Sequence, residues 1–138
     1  MNNNKDGQPI ILEDDGYCFV CGKNNLQGLR LNWVTEGNKT TSVFTPEKKF
    51  QGYVDILHGG IISTLLDEAM TRLVWQKFGK AVTAEMNIRF MNPGKIGEKL
   101  IVTGEIIEQK KNIVYTQGSI NTEQGTLIAK ATGKSVLI

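Results

Sequence analysis

The 138 residues allow one domain with one core, because a second domain with its own core has no room in a chain of this length. Hydrophobic residues make up 40% of the chain and charged residues 22%, an ordinary globular composition that argues against long disorder. The net charge is only +2 and no Lys/Arg-rich stretch is interleaved with aromatic residues, which argues against a nucleic-acid partner.

The chain has no apolar run long enough to span a membrane, and residues 1–7 lack the apolar core of a signal peptide. We therefore expect a cytoplasmic protein without a membrane partner. In that reducing compartment the two cysteines, Cys18 and Cys21, are not expected to form a structural disulfide.

Residues 1–28 are predicted to be an irregular N-terminal segment, and regular structure is expected from residue 29 onward. Residues 29–34 alternate between apolar and polar side chains and run into a turn signal, which predicts a strand. Residues 40–45, closed by Pro46, are the expected hairpin partner of this strand. The two together predict an antiparallel pair.

A helix is the strongest secondary-structure signal in the chain. Apolar residues recur in adjacent pairs four apart between Ile61 and Val74, and polar residues fill the gaps. This pattern predicts a helix of about four turns with a broad apolar face. We expect it to begin just after His58-Gly59-Gly60 and to end near Gly79, since glycine suits a C-terminal cap.

Four strands are predicted after the helix, at 82–90, 100–109, 113–122 and 127–138. In the first of them, one face is expected to be apolar, formed by Val82, Ala84, Met86, Ile88 and Phe90. The order predicts an α+β fold, in which a curved antiparallel sheet of about six strands wraps around one long central helix. Open edges on so small a sheet favour pairing with a second copy.

The start of the helix is one candidate site. Glycine costs about 1 kcal/mol relative to alanine inside a helix, so Gly59 and Gly60 need a reason to be there. They form either a tight turn into the helix or a place where its unpaired first amides polarise a carbonyl oxygen. His58, the only histidine, is either a hydrogen-bond partner at the helix start or a general base.

Two adjacent carboxylates, Asp67 and Glu68, follow about two turns into the helix. At 100° per residue, each lies near a border of the apolar stripe, on opposite sides. A carboxylate at such a border is costly unless it is paired, hydrogen-bonded or functional. Helix geometry does not choose between the two residues.

The chain resembles the hotdog-fold acyl-CoA thioesterases, in particular the phenylacetate-pathway type within the 4-hydroxybenzoyl-CoA thioesterase superfamily. The resemblance rests on His58-Gly59-Gly60 with an acidic residue eight positions after Gly59, on residues 82–93, and on Gly97-Glu98 before an apolar strand. It covers residues 29–138, which it implies are a single hotdog domain. The implied activity is hydrolysis of acyl-CoA to free acid and coenzyme A by a homodimer or a dimer of dimers.

The resemblance also implies roles for residues. Asp67 corresponds to the catalytic carboxylate, acting as nucleophile or as base for water, and Gly59 to the amide that binds the thioester oxygen. His58 is implied to help position the substrate, and Thr83 to orient the water. The helix of one subunit and the strand of its neighbour meet at the site in this family, so Asp67 and Thr83 are expected on opposite chains.

One further substrate contact is an expectation from the same resemblance. Some relatives carry an asparagine six residues before the histidine, where this chain has Gly52, so an amide role would pass to Gln51. Independently of the resemblance, further candidates for binding the substrate are Gly60, Glu68, Arg89, Lys110 and Lys111, the basic ones through phosphates of coenzyme A. The alternative for Lys110-Lys111 is a solvated hairpin turn.

The spacing Cys18-Phe19-Val20-Cys21-Gly22 is compatible with zinc, but a structural zinc ion takes four ligands. The chain offers two cysteines and one distant histidine. We therefore expect no metal, no cofactor beyond the coenzyme A of the substrate, and a packed N-terminal lobe near the site. A zinc site shared between subunits is the alternative.

Two functions rival that of a thioesterase, one of another enzyme on the same fold and one of a protein from another class. A hotdog dehydratase or hydratase would pair a catalytic histidine with a carboxylate in a different motif, which this sequence lacks. A non-catalytic acyl-CoA binding protein would have no use for the carboxylate of Asp67. Release of free thiol from acyl-CoA separates the three.

Overall fold

A computed structural model describes residues 6–8 and 11–138. Residues 1–5 and 9–10, part of the predicted irregular segment, lie outside this range. The described part contains the six strands β1 Val34–Glu36, β2 Lys39–Phe44, β3 Ala81–Phe90, β4 Leu100–Lys110, β5 Ile113–Thr122 and β6 Leu127–Leu137. Its one α-helix, α1, runs over Gly59–Phe78, and a short 3-10 turn covers Lys48–Phe50.

The strands form one antiparallel sheet in the order β1-β2-β4-β5-β6-β3. The helix α1 packs against the five strands β2 to β6. The predicted α+β fold, with six strands around a single long helix, is therefore confirmed. Strand β3 lies at one edge of the sheet, far from its sequence neighbours β2 and β4, because the helix carries the chain across the sheet before it begins.

The helix buries one broad apolar face against the sheet, formed by Ile62, Leu65, Leu66, Ala69, Met70, Leu73 and Val74. A Cβ atom on Gly104 of β4 would overlap the backbone carbonyl of Ala69, so glycine is what lets helix and sheet approach this closely. The helix begins at Gly59, slightly earlier than predicted, because the imidazole of His58 caps it from outside. It ends at Phe78, and Gly79 caps it as predicted, with a φ of 96° that suits glycine.

The prediction of a strand at 29–34 is largely wrong. Only Val34 of that stretch belongs to β1, whereas Leu29 and Leu31 donate N–H hydrogen bonds of 2.8 Å to the carbonyls of Phe19 and Val20. The alternation does reflect burial, since Leu31 lies in the core. Its backbone, however, pairs with the irregular N-terminal segment and not with the sheet.

The predicted apolar face of β3 is wrong at two positions. A β-bulge between Thr83 and Glu85 shifts the register against β6, and Ala84 is exposed as a result. Phe90 is 55% exposed at the end of this edge strand. The other strands agree with prediction to within a residue or two, and the β4–β5 hairpin turns at Lys111, whose φ is 57°.

The core lies between α1 and the sheet, and Val20 of the N-terminal segment belongs to it. The segment therefore packs onto the same core as the strands. No helix in residues 6–8 and 11–138 is long and apolar enough to cross a membrane.

Candidate active site

Asp67 lies half-buried in the middle of α1, held by two hydroxyl groups. Its Oδ1 accepts a hydrogen bond of 2.6 Å from Thr83 Oγ1 and one of 3.3 Å from Thr71 Oγ1. The two hydroxyls are themselves 2.9 Å apart. Hydroxyl donors compensate the loss of water around a half-buried carboxylate, so they both orient Asp67 and stabilise its charge. Both bonds go to Oδ1, which leaves Oδ2 to meet a reactant.

The turn after the helix explains why these three residues meet. Gly79 reverses the chain, and β3 starts at Ala81 and runs back along α1, which brings Thr83 alongside Thr71 and Asp67. The expectation that Asp67 and Thr83 come from opposite chains is therefore wrong. The short connection between helix and strand dictates that they meet within one chain.

The start of α1 presents a single free amide. His58 Nδ1 accepts a 2.8 Å hydrogen bond from the Gly60 N–H, and the His58 carbonyl accepts from the N–H groups of Ile61 and Ile62. In the part of the chain that the structure describes, no acceptor bonds to the N–H of Gly59. A negatively polarised oxygen placed at this positive helix end would complete its hydrogen bonding.

His58 is thus a capping residue in this structure, which is one of the two interpretations that the sequence left open. Because Nδ1 accepts a hydrogen bond from the Gly60 N–H, the ring proton of a neutral imidazole is on Nε2. The side chain is exposed, and it can contact a substrate without acting as a base.

The free amide and the carboxylate of one chain are too far apart to act together. Gly59 and Asp67 are eight residues apart on α1, about 12 Å along the helix axis. Gly59 instead lies beside the far end of β3, where a Cβ atom on it would be 3.5 Å from Cε1 of Phe90. Thr83, at the other end of β3, holds Asp67.

The other predicted contacts are dispersed. Gln51 lies in the loop before α1, and its Oε1 accepts a 3.1 Å hydrogen bond from the Asp55 N–H, so its amide already holds that loop.

The three basic residues predicted to bind coenzyme A lie in different places. Arg89 lines a concavity of about 640 Å³ formed by strand residues alone. Lys110 pairs with Glu108 at 3.4 Å, and Lys111 forms the hairpin turn. Their binding of coenzyme A stays a prediction.

Glu68 points away from Asp67, towards the N-terminal segment. Its carboxylate and the thiols of Cys18 and Cys21 lie within 4.8 Å of one another. Burial raises the pKa of the Glu68 carboxyl, and the hydrogen bond to Cys21 and the charge of Arg72 oppose this shift. Burial, the charge of Glu68 and the hydrogen bond to it raise the pKa of the Cys21 thiol to about 12.

The sequence interpretation missed Thr71 and the meeting of Glu68 with the cysteines. Thr71 had a signal, since residues four apart on a helix are neighbours and Thr71 follows Asp67 by four. The contact between Glu68 and the cysteines had none, because it depends on how an irregular segment docks onto α1. That docking forms an open cavity of about 530 Å³, to which Glu68, Thr71 and Arg72 contribute.

The structure combines a carboxylate in the middle of a single central helix, a free amide at the start of that helix and an antiparallel sheet wrapped around it. These features define a class of protein, and comparisons with known proteins identify the class. The family model of the Thioesterase superfamily matches residues 55–129, and the chain belongs to this superfamily. The predicted family and hotdog fold are confirmed.

Among individual relatives, human acyl-coenzyme A thioesterase 13 is 32% identical over an alignment of 87 residues, which covers 61% of this chain and 62% of the human protein. The chain thus spans less than two thirds of that relative's length. The PaaI protein of the E. coli phenylacetic acid degradation operon superposes with a TM-score of 0.73 at 23% identity, covering 78% of this chain and 83% of PaaI. A hypothetical Streptococcus pneumoniae thioesterase solved with coenzyme A superposes with a TM-score of 0.71 at 22% identity, covering 77% and 86%.

Proposed function

We propose that this protein hydrolyses acyl-CoA thioesters to the free acid and coenzyme A. The observation that carries the proposal is the Asp67 carboxylate, fixed through Oδ1 by the Thr83 hydroxyl at 2.6 Å, on a helix whose first amide is free. The human relative is named an acyl-coenzyme A thioesterase, and the pneumococcal neighbour was solved with coenzyme A, which supports this substrate class.

A thioester is an activated acyl group, so one polarised carbonyl and one carboxylate are enough for its hydrolysis. The thioester oxygen would accept from the Gly59 N–H, which stabilises the negative charge that develops there. Asp67 either takes a proton from water as the water oxygen bonds to the acyl carbon, or attacks that carbon itself through Oδ2. In the first route the carbon–sulfur bond then breaks, and the proton held by Asp67 passes to the sulfur, which leaves as coenzyme A. In the second route the carbon–sulfur bond breaks as the acyl–Asp67 anhydride forms, the sulfur takes up a proton, and water then hydrolyses the anhydride to the free acid and the Asp67 carboxylate.

We place each site between two subunits of a homodimer, which forms alone or within a dimer of dimers. The 12 Å rise between Gly59 and Asp67, about eight residues of helix, prevents one chain from supplying both groups to one carbon. The amide of one subunit and the carboxylate of the other must therefore combine. Thr83 accompanies Asp67 because both belong to the same chain.

The open edge of β3 supports a specific arrangement of the dimer. This strand is ten residues long and lies at the edge of the sheet, where it can pair with a second copy. A two-fold axis between Met86 and Asn87 pairs the two copies antiparallel and puts Phe90 of one opposite Thr83 of the other. Gly59, which lies against Phe90, then approaches the carboxylate next to Thr83 in the second subunit.

The direct test is thiol release from a panel of aromatic, short and long acyl-CoAs. Asp67→Asn keeps the shape of the side chain and removes the charge, so kcat should fall by about a hundred- to ten-thousand-fold. Glu68→Gln is the comparison variant on the neighbouring position, and its loss should be far smaller. No thiol release from any acyl-CoA by the unmodified protein would refute the function. An inactive Glu68→Gln beside an active Asp67→Asn would refute the site.

A further inference from the structure

The two cysteines lie on a turn that aims both thiols in one direction. The Gly22 N–H donates a 2.9 Å hydrogen bond to the Cys18 carbonyl, closing the turn four residues on. A Cβ atom on Gly22 would lie 2.6 Å from that carbonyl oxygen, so the turn requires glycine at this position. Cys18 and Cys21 are both half-buried, and both are free thiols.

Glu68 completes a three-membered group from the opposite side. It comes from the middle of α1, about 50 residues away in sequence, and its carboxylate lies within 4.8 Å of both sulfur atoms. In this arrangement a cation would link the N-terminal segment to the central helix. Glu68 was not among the metal ligands considered from the sequence, which were the two cysteines and the one histidine.

We propose that Cys18, Cys21 and Glu68 form a binding site for a divalent cation of the zinc class. In a tetrahedral zinc site the sulfur atoms lie about 3.8 Å apart and each lies about 3.6 Å from the carboxylate oxygen, from bond lengths of about 2.3 and 2.1 Å. The ligand atoms here are within 4.8 Å, so shifts of about 1 Å complete the geometry. Two thiolates select a borderline-soft ion over magnesium or calcium, which prefer oxygen ligands alone.

The fourth coordination position opens onto the cavity of about 530 Å³ between the N-terminal segment and α1. The same cavity is lined by Arg72, whose Nε is buried and lacks an acceptor among the described residues. A water or an anion bound to the cation could supply one. Three protein ligands with one open position distinguish this site from a closed structural zinc site. The site does not depend on the thioesterase proposal.

Cobalt is a spectroscopic probe for this site. Chelator-treated, reduced full-length protein should bind one equivalent of Co²⁺ with a thiolate-to-cobalt charge-transfer band, and Zn²⁺ should displace it. Either Cys18→Ser or Cys21→Ser should weaken the band. Glu68→Gln should keep a thiolate band but lower the cobalt affinity by more than about tenfold. The matched control is Glu123→Gln, an exposed glutamate paired with Lys99, which should not change the affinity.

A second measurement uses the unmodified protein and does not depend on variants that fold. Zn²⁺ should protect both cysteines from alkylation, as read by mass spectrometry, and Mg²⁺ should not. Absence of the charge-transfer band, or alkylation that zinc does not slow, would overturn the site. Equal cobalt affinities for Glu68→Gln and Glu123→Gln, with unchanged circular dichroism spectra, would refute the role of Glu68 as a ligand of the cation.

Discussion

A proline at Gly59 would remove the free amide at the start of α1 without breaking the helix. Gly59 is the first helical residue, where proline is tolerated because this N–H takes no part in the helical ladder. The preceding residue, His58, has φ −62° and ψ 134°, the extended conformation that a residue before proline prefers. Gly59→Pro is therefore expected to fold.

Loss of one oxyanion donor typically costs about 2.7–4 kcal/mol of transition-state stabilisation, so kcat of Gly59→Pro should fall by about a hundred- to a thousand-fold. The matched control is Gly59→Ala, which keeps the N–H. Its Cβ would meet Phe90 at an ordinary contact distance of 3.5 Å, so its rate should remain near that of the unmodified protein. Inhibition by free coenzyme A shows whether the proline ring blocks binding. A Gly59→Pro rate equal to that of Gly59→Ala would refute the role of the amide.

The same variant tests whether the site is shared between subunits. Gly59→Pro and Asp67→Asn chains carrying different tags can be co-expressed, and the heterodimer isolated by two affinity steps. If the amide of one chain serves the carboxylate of the other, one of the two sites is intact, and thiol release should reach about half of the unmodified rate. Each homodimer alone should be nearly inactive. A heterodimer as inactive as its parents would place both groups in one chain and refute the composite site.

Three further predictions concern single positions. Thr83→Val removes the 2.6 Å donor to Asp67, so kcat should fall, and urea denaturation should show a loss of about 1–3 kcal/mol. His58→Asn preserves a capping side chain and should keep most of the activity. His58→Ala removes the cap and should lose about 1 kcal/mol of stability. A His58→Asn variant that is stable but inactive would indicate a chemical role for the imidazole. Gly104→Ala should destabilise by about 1–3 kcal/mol or more, because its Cβ would overlap the Ala69 carbonyl.

The elements that could be predicted from the sequence are those defined by local periodicity. The helix over Gly59–Phe78 and the β4–β5 hairpin needed only their own side-chain patterns and turn residues. The prediction of a strand at 29–34 was wrong because alternating apolar and polar residues indicate which side chains are buried, but not which segment the backbone pairs with. Here the backbone pairs with the N-terminal segment. Phe90 was predicted to lie on the apolar face of β3 but is exposed, because an edge strand can leave an apolar residue uncovered where a second copy of the chain would cover it.

The candidate site could be predicted only in part, for a related reason. Helix geometry put Asp67 and Glu68 at opposite borders of the apolar stripe and could not rank them, because each border acquires its chemistry from what packs against it. One border meets the hydroxyls of Thr83 and Thr71, and the other meets the thiols of Cys18 and Cys21. Of these contacts only that between Asp67 and Thr71 is local in sequence.

The two carboxylates therefore differ in what their surroundings allow them to do. Adjacent helical residues project about 100° apart, so one turn of α1 can serve two separate environments. The hydroxyls at Asp67 bind only Oδ1 and leave the other oxygen available to water or an acyl carbon. Glu68 instead faces two thiols, and burial raises the pKa of its carboxyl. Its surroundings favour cation binding, and those of Asp67 favour proton or acyl transfer.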